Sequence, residues 1–416
     1  MSARIYLDYA ATTPCAAEVV EAMEPYWNKT YGNASSVHWF GQSAVRAIDR
    51  SRETLARFLG ALPGEIYFTG SATEADNLAV YGAVLGVKKA WPHAFGRERP
   101  HVIVSAIEHE AVLEPCRRIQ ESGCAEVTYL RVGPEGVVNA GELRGALKPA
   151  TVLVSIMYAN SEIGTIQPVA EIGRLIREEN ELRAKAYQRA RSRGERTPGS
   201  VSHVPIRFHS DAVQAAQFLD CNVEQCSLDL ATLSAHKIYG PKGVGALYIR
   251  RGTPMAALVL GGGQERGLRS GTENVPAIVG FSRAVELVAE RRGASARQIG
   301  ALRDHLVDRV LGEIPGTALN GARIPRLPNN ANIRFAGVEG EVLLVALDQE
   351  GVAVSTGSAC ASRSLTPSHV LAALGVDTRR SGSLRFTLGR ATTRGEIDAT
   401  VAILKEAVEK LRKTRI

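Results

Sequence analysis

Residues 234–243 read Ser234-Ala235-His236-Lys237-Ile238-Tyr239-Gly240-Pro241-Lys242-Gly243 and follow a short apolar run at 229–233. The apolar run predicts a buried strand, and the lysine comes just after its end. Lysine side chains are usually solvated, so a lysine held beside a hydroxyl and an imidazole is suited to lose its proton and form a Schiff base. The stretch therefore predicts both a strand of the core and a carrier lysine, Lys237, just beyond the carboxyl end of that strand.

Short apolar, β-branched runs alternate with longer helical patterns on both sides of this stretch. The predicted strands are 65–69, 101–105, 152–157, 207–211, 229–233 and 246–249. This alternation predicts an α/β domain around a mostly parallel sheet. Ligands of such sheets bind beyond the carboxyl ends of the strands. The residues collected at those ends are Thr73, His109, Asp211, Gln214 and Lys237, and we expect them to share one pocket.

The pattern changes after about residue 291 to a helix, short strands at 332–335, 352–355 and 383–387, and an amphipathic helix at 393–413. We expect a large domain at 15–291 and a smaller α+β domain formed by 1–14 and 292–416. The polar, arginine-rich stretch at about 177–204 is interpreted as a helix extension plus a loop, inserted into the large domain.

Composition bounds the functional class. The chain has 416 residues, a net charge of +7 and 45% hydrophobic residues, which is typical of a globular protein. Much of the excess positive charge lies at 174–196, where a solvated face is the simpler interpretation, so no direct nucleic-acid binding is expected. The six cysteines contain no Cys-x-x-Cys pair. Reduced thiols, a cytoplasmic location and no membrane segment are expected.

Four further patterns each allow a functional and a structural interpretation. Residues 70–76 follow a strand and open a helix, which suits a phosphate or is only a turn. Asp211 closes a strand and can face a pyridine nitrogen or cap a helix. His109 can stack on a cofactor ring or be structural. Arg385 can bind a carboxylate or form an ion pair between domains.

A thiol in a small-residue segment points to sulfur chemistry. Cys360 ends the run Ser355-Thr356-Gly357-Ser358-Ala359-Cys360, in which no apolar residues bury it. Alone, it is equally an inert loop thiol. A carrier lysine and an accessible thiol in the same chain favour transfer of sulfur through the thiol.

Taken together, these motifs resemble those of the group I cysteine desulfurases, pyridoxal-phosphate enzymes of the aminotransferase type I fold, over nearly the whole chain. The resemblance implies a large domain with a mostly parallel seven-stranded sheet. The matching motifs are Tyr6-Leu7-Asp8-Tyr9-Ala10-Ala11-Thr12-Thr13-Pro14, Gly32-Asn33-Ala34-Ser35-Ser36-Val37-His38, Ala72-Thr73-Glu74, Glu108-His109, Asp211 with Gln214, 234–243, Gly261-Gly262-Gly263-Gln264-Glu265-Arg266, Arg269-Ser270-Gly271-Thr272-Glu273-Asn274 and Gly357-Ser358-Ala359-Cys360.

The resemblance also implies a role for each matching residue. Lys237 forms the internal aldimine with pyridoxal 5'-phosphate. The implied phosphate ligands are Ala72, Thr73, Ser234 and His236, with Thr272 reaching the phosphate of a neighbouring subunit and so implying a homodimer. The implied ring contacts are Asp211 at the pyridine nitrogen, Gln214 and Ser161 at the phenolic oxygen, and His109 stacked on the ring. Asn33 and Arg385 are expected to bind the substrate carboxylate.

The implied reaction converts L-cysteine to L-alanine, with Lys237, His109 and Cys360 as catalytic residues. Sulfur is left as a persulfide on Cys360 and passes to an iron–sulfur scaffold or another sulfur acceptor, including routes to thiolated tRNA. No metal is expected in the resting enzyme, although Cys360 can act as a transient iron–sulfur ligand.

Two positions depart from the family pattern. Members carry two asparagines before Glu-Ile-Gly, whereas this chain has Asn160-Ser161. The shorter serine is expected to lose the bond to the phenolic oxygen or to make it through water, at a cost of about 1 kcal/mol. The phosphate turn reads Gly70-Ser71 where members have serine then glycine, so Ser71 is expected to bring strain if that position has a positive φ.

Three other functions remain open on the sequence alone. A selenocysteine lyase shares the cofactor and carries a similar insertion, although the Gly357–Cys360 run fits the desulfurases better. A non-catalytic scaffold dimer for sulfur transfer is motivated by Ser161 and Ser71. An ordinary aminotransferase is disfavoured, because it does not need Cys360.

Overall fold

The computed structural model describes residues 4–95, 98–193, 204–357, 368–377 and 381–414. Within these ranges the strands are β1 (Ile5–Tyr6), β2 (Ile66–Thr69), β3 (His101–Ser105), β4 (Glu126–Leu130), β5 (Thr151–Ser155), β6 (Arg207–Asp211), β7 (Leu230–Ser234), β8 (Gly245–Ile249), β9 (Thr317–Leu319), β10 (Asn330–Ala336), β11 (Val352–Ala353) and β12 (Ser381–Thr387).

The helices of the same ranges cover the sheets. They are α1 (Ala17–Met23), α2 (Pro25–Asn28), α3 (Trp39–Leu59), α4 (Ala72–Asn77), α5 (Ala83–Ala90), α6 (Glu110–Glu121), α7 (Ala140–Ala146), α8 (Val169–Ser192), α9 (Val275–Glu313), α10 (Gly340–Gln349), α11 (His369–Ala373) and α12 (Arg394–Thr414). A π-helical turn, Leu78–Gly82, joins α4 to α5. In the described ranges, no helix combines the length and apolar character that crossing a membrane requires.

Seven strands form the central sheet in the order β2-β8-β7-β6-β5-β3-β4. Neighbouring strands from β7 to β4 pair in parallel, while β8 runs antiparallel to both β7 and β2. Successive side chains of β3 pack into two different hydrophobic clusters, Ile103 into one and Val102 with Val104 into the other. This follows because successive side chains of a strand point to opposite faces of the sheet. Helices cover both faces, as a parallel sheet requires. The predicted mostly parallel seven-stranded sheet is confirmed.

Two strands differ from the sequence-based prediction. The edge strand β4 was not predicted: its residues Glu126–Tyr129 are exposed or half-buried and only Leu130 is buried, so no apolar run marks it. The strand predicted at 152–157 ends at Ser155, where its pairing with β6 stops. Ile156 and Met157 are buried because each packs into a hydrophobic cluster, Met157 into one that includes Ile107 and Val370.

Both ends of the chain meet in a second group of strands. The antiparallel sheet β12-β10-β9 lies in the last quarter of the chain, and the parallel pair β1-β11 joins Ile5 to Val352. An isolated bridge then links Asp8 to Thr387 of β12. Helix α9 continues through the predicted boundary at 291 and 292, and the division into 15–291 against 1–14 with 292–416 stays a prediction.

The arginine-rich stretch is partly structural. Helix α8 continues to Ser192, which confirms the predicted helix extension, while residues 194–203 lie outside the described ranges. Arg183 in this helix is buried and donates to the backbone carbonyls of Lys148, Pro149, Thr151 and Val204. The expectation that the whole basic run is a solvated face is therefore wrong at Arg183. Its guanidinium satisfies the hydrogen-bonding capacity of carbonyl oxygens next to β5.

Candidate active site

A cavity of about 330 Å³ opens at the carboxyl ends of the central strands. Among its lining residues are ten that the sequence singled out: Ala72, Thr73, His109, Ser161, Asp211, Gln214, Ser234, His236, Lys237 and Arg385. Asn33 and Thr272 do not line this cavity, and Cys360 lies outside the described residues. The structure thus brings ten of the predicted residues together, while Asn33 and Thr272 lie outside the lining of this cavity.

The carrier lysine is held by the N-terminal segment. Lys237 lies in a short 3₁₀ turn after β7, and its Nζ donates to the carbonyl oxygens of Ala10 at 2.6 Å and Ala11 at 2.7 Å. Gln214 Nε2 donates to the same Ala10 oxygen at 3.1 Å. Hydrogen bonds from a charged donor are stronger than neutral ones, so these carbonyls fix the amine at the floor of the cavity.

The turn around the lysine is fixed from the same side. The backbone N–H and the hydroxyl of Thr13 both donate to the carbonyl of His236, each at 2.9 Å. Tyr239 has a left-handed φ of 67°, and its N–H donates to Thr13 Oγ1 at 2.7 Å. Such a conformation costs a non-glycine residue about 1–3 kcal/mol and persists only where its surroundings hold it. The residues after Lys237 are therefore set by tertiary contacts.

His236 presents a neutral ring to the cavity. Burial, followed by the positive charges of Lys237 and Lys242, lowers the pKa of His236 to about 4. Its Nδ1 lies 3.1 Å from Thr12 Oγ1. At neutral pH the imidazole can donate one hydrogen bond without adding charge.

The predicted phosphate turn begins α4 without strain. Ser71 has φ −168° and ψ 167°, which is extended backbone, and its Oγ accepts from the Glu74 N–H at 3.1 Å. The strain expected at Ser71 is therefore wrong, because the position does not use a positive φ. A Cβ on Gly245 would lie 2.7 Å from Ala72 N. Glycine at 245 lets β8 pass directly beneath the turn.

Three buried carboxyl groups surround the sheet end of the cavity. Asp211 accepts from Val213 N–H at 2.9 Å, and burial raises its pKa, opposed by this bond and by the charges of His109 and Lys237. Asp76 is 1% exposed, and burial together with the Asp211 charge raises its pKa well above the usual value. Two carboxyls that face each other in a dry site cannot both ionise easily, so Asp76 is the neutral partner of Asp211.

The third carboxyl, Glu108, is kept neutral by burial. Its Oε1 accepts from Ser105 Oγ at 2.5 Å and from Met157 N–H at 2.8 Å, while Oε2 has no hydrogen-bond partner in the described ranges. Burial raises the pKa of Glu108 to about 8. Burial outweighs the two hydrogen bonds to Oε1, which favour the ionised form, so the neutral acid is favoured at neutral pH.

Arg385 lies across the cavity from the sheet. It is 2% exposed, its Nη2 contacts Asp8 Oδ1 at 2.8 Å, and its Nη1 donates to the Ser161 carbonyl at 3.2 Å. Its Nε has no partner in the described part of the chain. A guanidinium held on two sides with a buried donor left over is suited to receive a carboxylate.

These groups fit pyridoxal phosphate. The hydroxyls of Thr73 and Ser234, the His236 ring, the Asp211 carboxyl and the Lys237 amine all line this one cavity. The donor set matches a phosphate, a basic ring nitrogen and an aldehyde.

Sequence reasoning missed several lining or supporting residues. Asp76 and Lys242 line the cavity, and Glu108 supports it from below. Asp76 lies within a quoted motif, yet a single acid in a short helix carries no sign of facing inward. Only the tertiary fold shows that Asp76 points to Asp211.

Comparison with known proteins agrees with this geometry. The family model described as aminotransferase class-V matches residues 5–184 and 200–400. The cysteine desulfurase IscS of Dictyoglomus turgidum is 45% identical over 413 residues, 99% of this chain and 96% of that protein. The protein of the same name from Methanosarcina thermophila is 44% identical over 409 residues, 98% and 93% of the two chains.

Solved structures show the same fold. A NifS-like protein superposes with a TM-score of 0.84 at 35% identity and covers 98% of this chain and 100% of that one. A structure described as SspA in complex with cysteine has a TM-score of 0.73 at 34% identity, and the match covers 92% of this chain and 98% of that one.

The neutral state of Glu108 predicts a pH dependence of stability. Its folded pKa of about 8 lies above the ordinary 4.5, so the stability it contributes is complete below the ordinary value and is lost as pH rises through the folded value. Glu108→Gln keeps the acceptor and cannot ionise. Between these two pH values, unfolding free energy of the parent should fall relative to the variant by up to about 1.4 kcal/mol per pH unit.

Urea unfolding of cofactor-free parent and variant across that range measures this difference. Asp76, Asp211 and His209 are present in both proteins, so their titration largely cancels. Parallel pH profiles would show that Glu108 is ionised in the folded protein and would contradict the assignment.

Proposed function

The chain belongs to the aminotransferase class-V family and is a cysteine desulfurase. We propose that it uses pyridoxal phosphate on Lys237 and carries the sulfur of L-cysteine on Cys360. The observation that carries this proposal is the convergence, in one cavity, of a carrier lysine, phosphate donors, a buried acid and a carboxylate-binding arginine. Relatives named cysteine desulfurase at 44–45% identity over nearly the whole chain support the same activity.

Each residue of the cavity has a proposed task. Bound there, pyridoxal phosphate supplies an electron sink for the substrate α-carbon. Asp211 would accept a hydrogen bond from the protonated ring nitrogen, and Lys237 would remove the proton from the substrate Cα and return one to the product. His109 would contact the face of the ring, and Gln214 and Ser161 would hold the phenolic oxygen.

Substrate recognition is proposed for Arg385 and Asn33. The guanidinium of Arg385 is already oriented by Asp8. Binding of the substrate carboxylate would therefore cost little further side-chain entropy. Asn33 lies outside the cavity lining, where its Oδ1 accepts from Ser35 N–H at 2.8 Å, so the proposed contact with the substrate carboxylate falls to its Nδ2 amide group. The relative structure that holds cysteine supports an amino acid of this size as substrate.

Sulfur transfer is proposed to occur at Cys360. The Cys360 thiolate attacks the substrate sulfur and forms an S–S bond, while the Cβ–S bond breaks and leaves its electron pair on carbon. The β-carbon is reduced to the methyl group of alanine and takes up a proton, and the transferred sulfur is oxidised to the sulfane level. The two changes balance, so the step needs no external oxidant.

The destination of the sulfur belongs to the same proposal. We propose that the persulfide passes to an iron–sulfur scaffold or another sulfur acceptor in the cytoplasm, with Cys360 as a transient iron–sulfur ligand during transfer. The names of the similar proteins favour cysteine over selenocysteine as the substrate. An aminotransferase would not depend on Cys360, and a scaffold would release no alanine.

A homodimer is proposed because Thr272 lies outside its own cavity. Leu258, Val259 and Leu260 precede it on the same loop and are exposed, Leu260 by 82%. Arg269 Nε contacts Glu74 Oε1 at 2.6 Å, so the loop is tied to the helix that carries Thr73. Exposed leucines at a fixed loop are typical of a surface that another chain covers.

Replacing Cys360 should stop turnover of L-cysteine without loss of the bound cofactor. Cys360→Ala removes the attacking thiol, so alanine release from L-cysteine should fall to about a thousandth or less of the parent rate, while visible absorbance of the bound cofactor is kept. Cys15→Ala is the matched control, because Cys15 is an exposed thiol elsewhere. Normal alanine release by Cys360→Ala would contradict the proposal.

Mixed dimers test the proposed place of Thr272. Lys237→Ala and Thr272→Ala subunits are refolded together, and hybrids are isolated by two different affinity tags. If Thr272 serves the neighbouring site, the site that keeps Lys237 receives an intact Thr272 and the hybrid regains about half of the parent activity per dimer. A hybrid no more active than the Thr272→Ala homodimer would show that Thr272 acts within its own subunit.

A further inference from the structure

Glu162 contacts both ends of the segment that carries Cys360. The described chain stops at Gly357 and resumes at Ser368. Ser368 Oγ donates to Glu162 Oε2 at 2.6 Å. A Cβ on Gly357 would lie 3.0 Å from the same oxygen. One carboxylate oxygen therefore binds Ser368, at one end of this segment, by a hydrogen bond and lies close beside Gly357, at the other end.

The backbone of Glu162 is firmly held. Glu162 is 2% exposed, and its N–H donates to Asn160 Oδ1 at 2.8 Å. Its carbonyl accepts from Asn330 Nδ2 and Asn332 Nδ2, each at 3.2 Å. Because both asparagines belong to β10, Glu162 connects the loop after β5 to the second group of strands, and its carboxylate has a fixed position.

The neighbours of Glu162 belong to the cavity. Ser161 lines the cavity, and its carbonyl accepts from Arg385 Nη1. Arg385 in turn exchanges two backbone hydrogen bonds with Ser355, at 3.2 and 2.6 Å. A short chain of contacts therefore joins the substrate-binding arginine to the first end of the Cys360 segment.

The second end is held where α11 begins. Ser368 caps this helix, since its Oγ accepts from Leu371 N–H at 3.2 Å while its hydroxyl donates to Glu162. His369 Nε2 donates to the Glu108 carbonyl at 2.9 Å, next to His109. Both ends of the segment are thus attached to residues that adjoin the lining of the cavity.

We propose that Glu162 is a positioning residue for sulfur transfer, because its carboxylate binds the Ser368 end of the Cys360 segment and lies against the Gly357 end, which sets both ends relative to the cavity. This inference rests on the proposed role of Cys360. Ten residues, 358–367, separate the two ends, and the probability that a thiol on such a segment meets a bound substrate depends on where the ends are held. Removal of the proton from the substrate Cα by Lys237 does not involve this contact.

The experiment separates the two steps. Glu162→Ala and Ser368→Ala are made in the full chain, and formation of the Cys360 persulfide is followed by mass spectrometry after rapid mixing with L-cysteine. Exchange of the substrate Cα hydrogen with deuterium from solvent is followed in the same variants carrying Cys360→Ala. We expect Glu162→Ala to slow persulfide formation about 10- to 100-fold, Ser368→Ala to slow it less, and Cα exchange to remain within about twofold.

Three comparisons show whether the effect is specific. Glu162→Gln keeps an oxygen that can accept from Ser368, so it should restore most of the persulfide rate. Glu65→Ala removes another buried carboxyl, one that accepts from Leu62 and Arg251 N–H groups, and should not separate the two steps. Amide hydrogen exchange of cofactor-free protein should quicken at 369–371 in Glu162→Ala and Ser368→Ala but not in Glu65→Ala.

Two results would overturn the inference. Equal loss of Cα exchange and persulfide formation would show that Glu162 supports the cavity as a whole, and an unchanged persulfide rate in both Glu162→Ala and Ser368→Ala would show that the contacts have no such role. If the parent protein turns over L-cysteine but forms no persulfide on Cys360, the proposed function itself fails at that residue, and the inference fails with it.

Discussion

The attachment of residues 10–13 to the Lys237 turn is the contact on which the cavity depends. Two carbonyls of the N-terminal segment accept from the Lys237 amine, and Thr13 holds the turn on either side of it. Hydrogen bonds to a charged group are worth about 1.5–3 kcal/mol each. The same segment pairs with β11 through β1 and reaches β12 at Asp8. Lys237 of the central sheet and Arg385 of the second sheet are therefore positioned by one continuous stretch of backbone.

Charge in the cavity is limited by burial. His209 is fully buried and its pKa is lowered to about 3, so its ring is neutral, and it lies 3.6 Å from Asp76. Asp76 and Glu108 are neutral acids because burial disfavours their ionised forms. Asp211 is the carboxyl that also faces positive charge, from His109 and Lys237. Surrounding one ionisable acid with neutral polar groups suits a ring nitrogen that must stay protonated during catalysis.

The features that could be predicted from the sequence are those that depend on local residue patterns. Apolar runs gave five of the central strands closely, and the strand before Lys237 placed the lysine at the sheet edge. Features that depend on tertiary contact were not predictable. The edge strand β4 lacks an apolar run, Arg183 looks like one more solvated arginine, and the inward direction of Asp76 has no local sign. The strain expected at Ser71 was wrong because a serine cap and extended backbone replaced the assumed glycine conformation. Glu162 belongs to a recognised motif, but its contacts with Ser368 and Gly357 join residues about two hundred positions apart.

The most direct test of the account is to identify the lysine that carries the cofactor. Pyridoxal phosphate is added to the purified protein, the Schiff base is reduced with borohydride, and the labelled peptide is identified by mass spectrometry. Lys242 also lines the cavity, which makes it the internal comparison. The account predicts a pyridoxyl group on Lys237 alone. Labelling of Lys242 instead, or no label at all in protein that retains its fold, would contradict the assignment of this cavity as the catalytic site.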